Sequence, residues 1–247
     1  MKRLALIDGD EVAFKAVAVT ATNIQWDDGE PDQAPSAALA VRAAKELVTA
    51  WAQKVEADEI IVCLSCRDRK LFRRDIYPAY KTERTEKPVA FWAAVDALSA
   101  AFEVREYPGL EADDVMGIHS GKEKDRQPII VSSDKDMKTI AGAWIFSPYH
   151  GTKKKVTEEA GNRYWMTQTI TGDPSDGYKG IPGAGPKRAE KILEGLSSLR
   201  AMWAAVADAY RVAGLTSTAA ITQARLARIL RPGDYDFSKK EPILWNP

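Results

Sequence analysis

The sequence predicts an α/β fold in which helices flank a central, mostly parallel sheet, followed by a helical region. Three short apolar runs, at 4–7, 60–62 and 128–131, are continuous rather than alternating, which is typical of strands covered on both faces. Stretches of helical composition separate these runs, and that alternation favours parallel strands joined by crossover helices. From residue 158 onward the pattern predicts helices only.

Composition and charge are those of an ordinary globular chain. Of its 247 residues, 45% are hydrophobic and 28% charged, and the formal net charge is zero, which argues against whole-molecule attraction to nucleic acid but not against local basic patches. No apolar run approaches the roughly 18 residues of a membrane span, and the apolar run at the N-terminus is too short for a signal peptide. Two cysteines do not make a disulfide framework. The chain is therefore expected to lie in the cytoplasm, without a membrane partner.

The individual elements follow from apolar runs and their caps. Ser36 is a suitable N-cap for the Ala-rich helix after it. Helices are predicted at 12–21, 37–55, 89–102, 112–119, 158–170, 186–193, 198–213 and 219–229, and strands at 4–7, 59–64, 104–107, 128–131 and 144–146. The three lysines at 153–155 are predicted to form an exposed turn. The change to purely helical elements predicts a subdomain boundary near residue 156.

Acidic residues cluster where predicted elements begin or end. The clusters are Glu111-Ala-Asp113-Asp114, Asp134-Lys-Asp136 and Asp173-Pro-Ser-Asp176, and Asp8 follows the first strand. Any one of them alone would be an ordinary helix cap or turn. So many carboxylates cannot all stay ionised near one another without a compensating cation. Because magnesium prefers oxygen ligands, the clusters predict a site for divalent metal.

Two further stretches favour a nucleic-acid backbone as the ligand. Residues 67–87 carry eight cations interleaved with Phe72, Tyr77 and Tyr80, which suits phosphates and stacked bases; a solvated loop with a few packed aromatics explains this composition equally well. The segment 180–188, Gly-Ile-Pro-Gly-Ala-Gly-Pro-Lys-Arg, joins two predicted helices. Its glycines let backbone N–H groups approach phosphate oxygens. A tight helix–helix connection is the simpler explanation for a lone Gly-x-Gly, but the adjacent Asp-x-x-Asp and basic residues favour phosphate binding.

Taken together and in this order, the motifs resemble the 5′-nuclease superfamily of flap endonucleases and 5′–3′ exonucleases, in its compact bacteriophage or polymerase-exonuclease form. The resemblance extends over about residues 4–195. It is carried by Leu6-Ile-Asp8-Gly9, Phe72-Arg73, Tyr77-Pro-Ala-Tyr80-Lys81-Thr-Glu-Arg84, Leu110-Glu111-Ala-Asp113-Asp114, Ser133-Asp134-Lys-Asp136 and Gly172-Asp173-Pro-Ser-Asp176, followed by the glycine-rich segment to Ala189.

This resemblance implies a role for each matching residue. The ligands of a first Mg²⁺ are Asp8, Glu111, Asp113 and Asp114, and those of a second are Asp134, Asp136, Asp173 and Asp176. Lys81 and Arg84 are expected to contact the scissile phosphate. The expected DNA contacts are Arg73, Tyr80, Gly183, Gly185, Lys187, Arg188 and Lys191. Mn²⁺ is expected to substitute for Mg²⁺, and a K⁺ ion is expected at the glycine hairpin.

The implied activity is hydrolysis of DNA phosphodiesters at 5′ ends or flaps. The expected organisation is an α/β nuclease core at 1–156 with a short arch region at about 78–110, a helical, helix–hairpin–helix-type DNA-binding region at 157–230 that includes the hairpin at 172–195, and an irregular tail at 231–247. The expected setting is DNA replication or recombination, as a monomer in a bacterial or phage-infected cell, with proteins of those processes as partners.

The pattern departs from the family at one ligand, and other interpretations stay open. The family has an aspartate after its second strand where this chain has Cys66, so either Asp68 replaces it or the first metal loses a ligand. Asp8-Gly-Asp10 also resembles haloacid-dehalogenase-type phosphatases, in which Asp8 would be a nucleophile and Asp10 the acid/base. A non-catalytic DNA-binding module is a third alternative. A Cys₂His₂ zinc site is arithmetically allowed, but neither histidine has finger spacing.

Overall fold

A computed structural model describes residues 1–20, 36–68, 70–83, 85–122 and 125–247. The strands are β1 Lys2–Asp8, β2 Glu59–Cys63, β3 Glu103–Arg105, β4 Arg126–Val131, β5 Trp144–Ser147 and β6 Thr152–Lys155. They form one sheet in the order β3-β2-β1-β4-β5-β6, in which only the β5–β6 pair is antiparallel. The predicted α/β class is confirmed. The turn predicted at 153–155 is wrong: these lysines form the exposed edge strand β6, where charge discourages further strand pairing.

Helices cover both faces of this sheet. They are α1 Gly9–Thr20, α2 Ala37–Lys54, α3 Phe72–Ile76, α4 Val89–Ala101, α5 Ala112–Ile118, α6 Glu158–Thr171, α7 Pro186–Leu193, α8 Leu199–Val212 and α9 Ser217–Ala227. Because side chains alternate along a strand, Ala5 and Ile7 of β1 pack with α1, α2 and α4, whereas Leu4 and Leu6 pack with α5 on the opposite face. The carboxyl ends of β1 and β4 therefore lie between two helical layers.

The region at about 78–110, predicted to form an arch, contains two elements of the core. Helix α4 packs on α1 and α2 through Phe91 and Leu98, and β3 joins the sheet. Apolar burial holds them in the core, so the described residues of this region outside these elements are 78–83, 85–88, Phe102 and the connection after β3. No helix among the described residues is long and apolar enough to cross a membrane.

Helices α6 to α9 enclose a third apolar core around Trp165 and Tyr210. The tail predicted to be irregular contains a small hairpin of β7 Tyr235–Asp236 and β8 Glu241–Pro242. Tyr235 packs against the sheet side of the molecule, and Arg231 donates hydrogen bonds to Asn162 and to the carbonyl of Thr139. The tail thus contacts both the helical region and the sheet side of the molecule.

Candidate metal centre and nucleic-acid interface

A polar cavity of about 410 Å³ opens at the carboxyl edge of the sheet. Strand β1 delivers Asp8 to it, and the start of α5 delivers Asp113. The acidic residues in its lining are Asp8, Asp10, Glu11, Glu111, Asp113 and Asp134. A second cavity of about 470 Å³ shares Lys81 and Lys87 with it and extends toward Trp92. Sheet topology therefore brings acids from distant parts of the chain to one place, as predicted.

Two of these acids hold their protons unusually tightly. Burial, followed by the charges of Glu11 and Asp10, raises the pKa of Asp8 to about 7, although Asp8 accepts hydrogen bonds from the Glu11 amide and the Ser132 hydroxyl. Burial and the nearby carboxylates of Asp134 and Asp8 raise the pKa of Asp113 well above its ordinary value. Converging negative charge of this kind favours a cation.

A further pair of acids continues the same surface. Burial, and then the charge of Asp134, raises the pKa of Asp136 to about 6, and the Gln168 amide donates to Asp136 at 2.7 Å. Asp173 is 6% exposed and accepts hydrogen bonds from the amide and hydroxyl of Ser175. These bonds outweigh burial and lower the pKa of Asp173. Asp134 and Asp136 lie at the carboxyl end of β4, and Asp173 lies just beyond α6.

Other carboxylates of the site form ion pairs with arginine or lysine side chains. The guanidinium of Arg73, 3% exposed, donates to both oxygens of Asp114 at 2.6 and 2.8 Å and to Glu111 at 3.2 Å. The ammonium of Lys81 lies 2.6 Å from Glu111 and 3.3 Å from Asp176. Burial opposes ionisation of Glu111, but Lys81 and Arg73 outweigh it and hold its pKa at about 2.

We call Glu111, Asp114 and Asp176 the paired carboxylates, and Asp8, Asp113, Asp134 and Asp136 the open carboxylates. No open carboxylate forms a salt bridge with a lysine or arginine that the structure describes. The paired group is therefore neutralised within the fold, whereas the open group is not.

The glycine-rich connection between α6 and α7 is a tight turn with an exposed basic end. Gly172 and Gly180 have φ of +69° and +62°, and their backbones touch, so that a Cβ on Gly180 would meet the Gly172 nitrogen at 2.4 Å. Gly183 and Gly185 are exposed with open space around them. The basic residues at the start of α7 are also exposed: Lys187, Arg188 and Lys191. This end can present backbone amides and cations to a phosphate chain.

A model of the family described as the 5′–3′ exonuclease, N-terminal resolvase-like domain, matches residues 3–166. The chain belongs to this 5′–3′ exonuclease family. An exodeoxyribonuclease of Enterobacteria phage T3 is 28% identical over 285 aligned residues, covering 100% of this chain and 93% of the relative. An exonuclease of Escherichia phage T7 is 27% identical over 285 residues, covering 100% and 94%. The predicted 5′-nuclease membership is confirmed, and a haloacid-dehalogenase-type phosphatase is not supported.

Solved structures of 5′-nucleases share the fold of this exonuclease chain. The D15 protein of bacteriophage T5, co-crystallised with metal ions, matches with a TM-score of 0.66 at 16% identity, covering 92% of this chain and 89% of that one. The catalytic core of Rad2 in complex with DNA substrate matches with a TM-score of 0.52 at 11% identity, covering 99% and 83%.

Three predicted site residues take other positions in this exonuclease. Arg73 and Tyr80, predicted to contact DNA, are 3% and 2% exposed, because Arg73 pairs with Asp114 and the Tyr80 hydroxyl donates to Glu111 at 2.8 Å. Asp114, predicted to be a metal ligand, is fully buried and both its oxygens are held by Arg73. These three side chains form the framework under the site, not its surface.

The structure places the remaining candidate residues differently with respect to the two cavities. Asp68, the alternative to the missing ligand, is exposed, accepts from the Lys70 amide and lines neither cavity. Arg84, expected to contact the scissile phosphate, lies outside the described residues. Asp10, by contrast, lines both cavities and was not predicted as a ligand; its only sequence signal was its spacing of two from Asp8.

The family implies divalent metal, and the donors at this site are of the right kind. They are carboxylate oxygens, which suit Mg²⁺, and the Ser133 hydroxyl beside them is buried without a hydrogen-bond partner. Within the described part of the chain, no three His, Cys, Asp or Glu side chains already converge closely enough to hold an ion.

Proposed function

We propose that this chain is a magnesium-dependent 5′–3′ exonuclease and flap endonuclease that hydrolyses DNA phosphodiesters at 5′ ends or flaps with two metal ions. The observation that carries the proposal is the group of open carboxylates at the carboxyl edge of the sheet, none of which forms a salt bridge with a lysine or arginine among the described residues. The relatives named exonuclease and exodeoxyribonuclease support the reaction class, and the crystals of the T5 D15 protein with metal ions support the cofactor class.

The open carboxylates would hold the ions together with Asp173, whose side chain also lies 3.6 Å from the ammonium of Lys135. Asp8 and Asp113 are proposed as ligands of the first ion, and Asp136 and Asp173 as ligands of the second. After burial, the charge of Asp134 is the largest cause of the raised pKa of both Asp113 and Asp136, and Asp134 is proposed to serve either ion. Bound divalent ions supply Lewis-acid activation of water and offset phosphate charge. Mn²⁺ has the same preference for oxygen ligands and is proposed to substitute.

Lys81 is proposed to orient the scissile phosphate. It lines both cavities, and its backbone is held at φ +52° by a hydrogen bond from its amide to the Asp176 carbonyl at 3.0 Å. A non-glycine residue in this region persists only where its surroundings enforce it. Glu111 and Asp176 lie 2.6 and 3.3 Å from the ammonium of Lys81 and hold it beside the open carboxylates.

The glycine turn is proposed to hold the duplex. Its exposed glycines and the basic start of α7 suit a phosphate backbone, and its backbone carbonyls suit a K⁺ ion. In crystals, the T5 D15 flap endonuclease binds DNA and metal ions together. We place the activity in DNA replication or recombination, as a monomer in the cytoplasm of a bacterial or phage-infected cell.

A cleavage assay tests this proposal. A 5′-labelled flap and a nicked duplex are incubated with the protein in Mg²⁺, in Mn²⁺ and in EDTA, and the products are sized on a denaturing gel. The proposal expects short 5′-labelled products in either metal and none in EDTA. Duplex binding without cleavage in any metal would instead identify a non-catalytic DNA-binding module.

A further inference from the structure

The resemblance to 5′-nucleases implies a carboxylate after the second strand, and the described residues there supply none to the site. Ser65 and Cys66 follow β2; Cys66 is buried among apolar side chains, and Asp68 is exposed and lines neither cavity. Ser65 itself lines the metal cavity, but its hydroxyl accepts a hydrogen bond from the Ala112 amide at 3.0 Å. Residues 64–68 therefore bring no acid to the site.

Asp10 reaches the same position from a different element. It lies in the first turn of α1, and because β1 and β2 are neighbours in the sheet, its Oδ1 accepts from the Ser65 amide at 3.3 Å. Its carboxylate lines the cavity together with Asp8 and Asp113. An acid from the first turn of α1 thus lies beside the carboxyl end of β2.

A lysine fixes the other side of this carboxylate. The ammonium of Lys87 lies 2.8 Å from Oδ2 of Asp10 and 5.4, 4.0 and 5.5 Å from the ring centres of Phe14, Phe91 and Trp92. Ammonium groups over aromatic faces are held by the ring quadrupole. Asp10 is therefore oriented from two directions, and a carboxylate with about four lone-pair sites still has capacity for a metal ion or its water.

We propose that Asp10 supplies the carboxylate that β2 lacks and acts as a ligand of the first metal ion, directly or through one water. This inference rests on the proposed function, since it needs the metal centre. It differs from the family pattern in the element that provides the ligand: the first turn of α1 takes the place of the loop after β2. Ser65 and Lys87 hold Asp10 in position.

Metal binding is measured directly to test this assignment, without any cleavage. The free Mn²⁺ signal in electron paramagnetic resonance is titrated with the wild-type protein, with Asp10→Asn and with Asp68→Asn. Asp10→Asn keeps the shape of the side chain but loses a charged ligand, so its Mn²⁺ dissociation constant is expected to rise about tenfold or more. Asp68→Asn, the matched control, is expected to bind as the wild type does.

A second variant keeps the result independent of folding effects. Adding Ser65→Asp to Asp10→Asn returns a carboxylate to the end of β2, and Mn²⁺ affinity is expected to recover. Equal Mn²⁺ affinities of the wild type and Asp10→Asn would overturn the assignment of Asp10 but not the proposed function. The assignment would also be overturned if Asp10→Asn lost affinity together with a lowered melting temperature and Ser65→Asp did not restore the affinity. That result would give Asp10 a structural role. A wild-type protein that binds no Mn²⁺ would overturn the proposed function as well.

Discussion

Asp113 and Asp114 are adjacent in the chain, yet the fold treats them in opposite ways. Asp114 is fully buried against the guanidinium of Arg73, whereas Asp113 faces a cavity beside Asp8 and Asp134, and these neighbours raise its pKa. The same contrast separates the paired from the open carboxylates generally. A buried carboxylate with both oxygens held by a guanidinium, like Asp114, serves the framework, while a carboxylate that faces the cavity without such a partner is available to a cation from solution.

The largest expected effect is on cleavage. Asp136→Asn removes an open carboxylate, and we expect the cleavage rate on a 5′-labelled flap to fall by about a thousandfold or more because transition-state charge is no longer offset. Duplex affinity should change little, since the glycine turn is untouched. Initial rates and equilibrium binding give the two values. Asp208→Asn, an exposed acid on α8, is the control; a rate above a tenth of wild type in Asp136→Asn would end the assignment.

The second prediction compares the stability of variants at Asp113 and Asp114. Asp114→Asn removes the bidentate partner of the buried Arg73 and leaves it only Glu111 at 3.2 Å, which should lower the free energy of unfolding by about 3 kcal/mol. Asp113→Asn removes repulsion, so in metal-free buffer it should not lower stability. Urea denaturation of the two variants in EDTA measures both. If both variants lose equal stability, the division into paired and open carboxylates is incorrect.

Magnesium should stabilise the protein through the carboxylates proposed as its ligands, among them Asp113. A ligand that binds only the native state adds about 2.7 kcal/mol at a concentration of 100 times its dissociation constant. We expect Mg²⁺ to raise the melting temperature of wild type and of a variant outside the site, Asp208→Asn, and to raise that of Asp113→Asn much less. Added NaCl of equal ionic strength controls for screening. An equal rise in all three proteins would place the ion elsewhere.

The smallest expected effect is on the pH dependence of the stability of the metal-free protein. The pKa of Asp8 is raised to about 7 and that of Asp136 to about 6, above their unfolded values, so the stability they contribute is lost as pH rises through 6 and 7. The pKa of His119 is lowered to about 4, so it is neutral in the folded state, while its unfolded form loses its proton near pH 6.5 and offsets part of this loss of stability. Melting temperature in EDTA should therefore fall by a few degrees between pH 6.5 and 8.

Saturating Mg²⁺ should remove this slope, because the ion replaces the protons. Asp8→Asn should flatten it in EDTA as well. A melting temperature that rises over the same interval without metal would show that these carboxylates are not desolvated and crowded as described.

The fold class and the acidic clusters could be predicted because both depend on local pattern. Continuous apolar runs identify buried strands, and acids that follow strands meet at one sheet edge whatever the details of packing. The partner of an arginine is not local: Arg73 lies in a basic, aromatic stretch that has the same composition whether its side chain faces DNA or Asp114 across 41 positions. That is why its burial, and that of Tyr80, was missed.

Asp10 was missed for a related reason. Its nearness to Ser65 follows from the pairing of β1 with β2, and a spacing of two from Asp8 does not reveal that neighbour. The edge strand β6 was likewise hidden, since three consecutive lysines have a strand's conformation only because β5 pairs with them.

A crystal grown with MnCl₂ and measured at the manganese absorption edge tests the central claim most directly. The account predicts two anomalous peaks, one within coordination distance of Asp8 and Asp113 and the other of Asp136 and Asp173, with Asp114 still held by Arg73. Open carboxylates without manganese beside them, or manganese bound at Asp114 in place of Arg73, would contradict it.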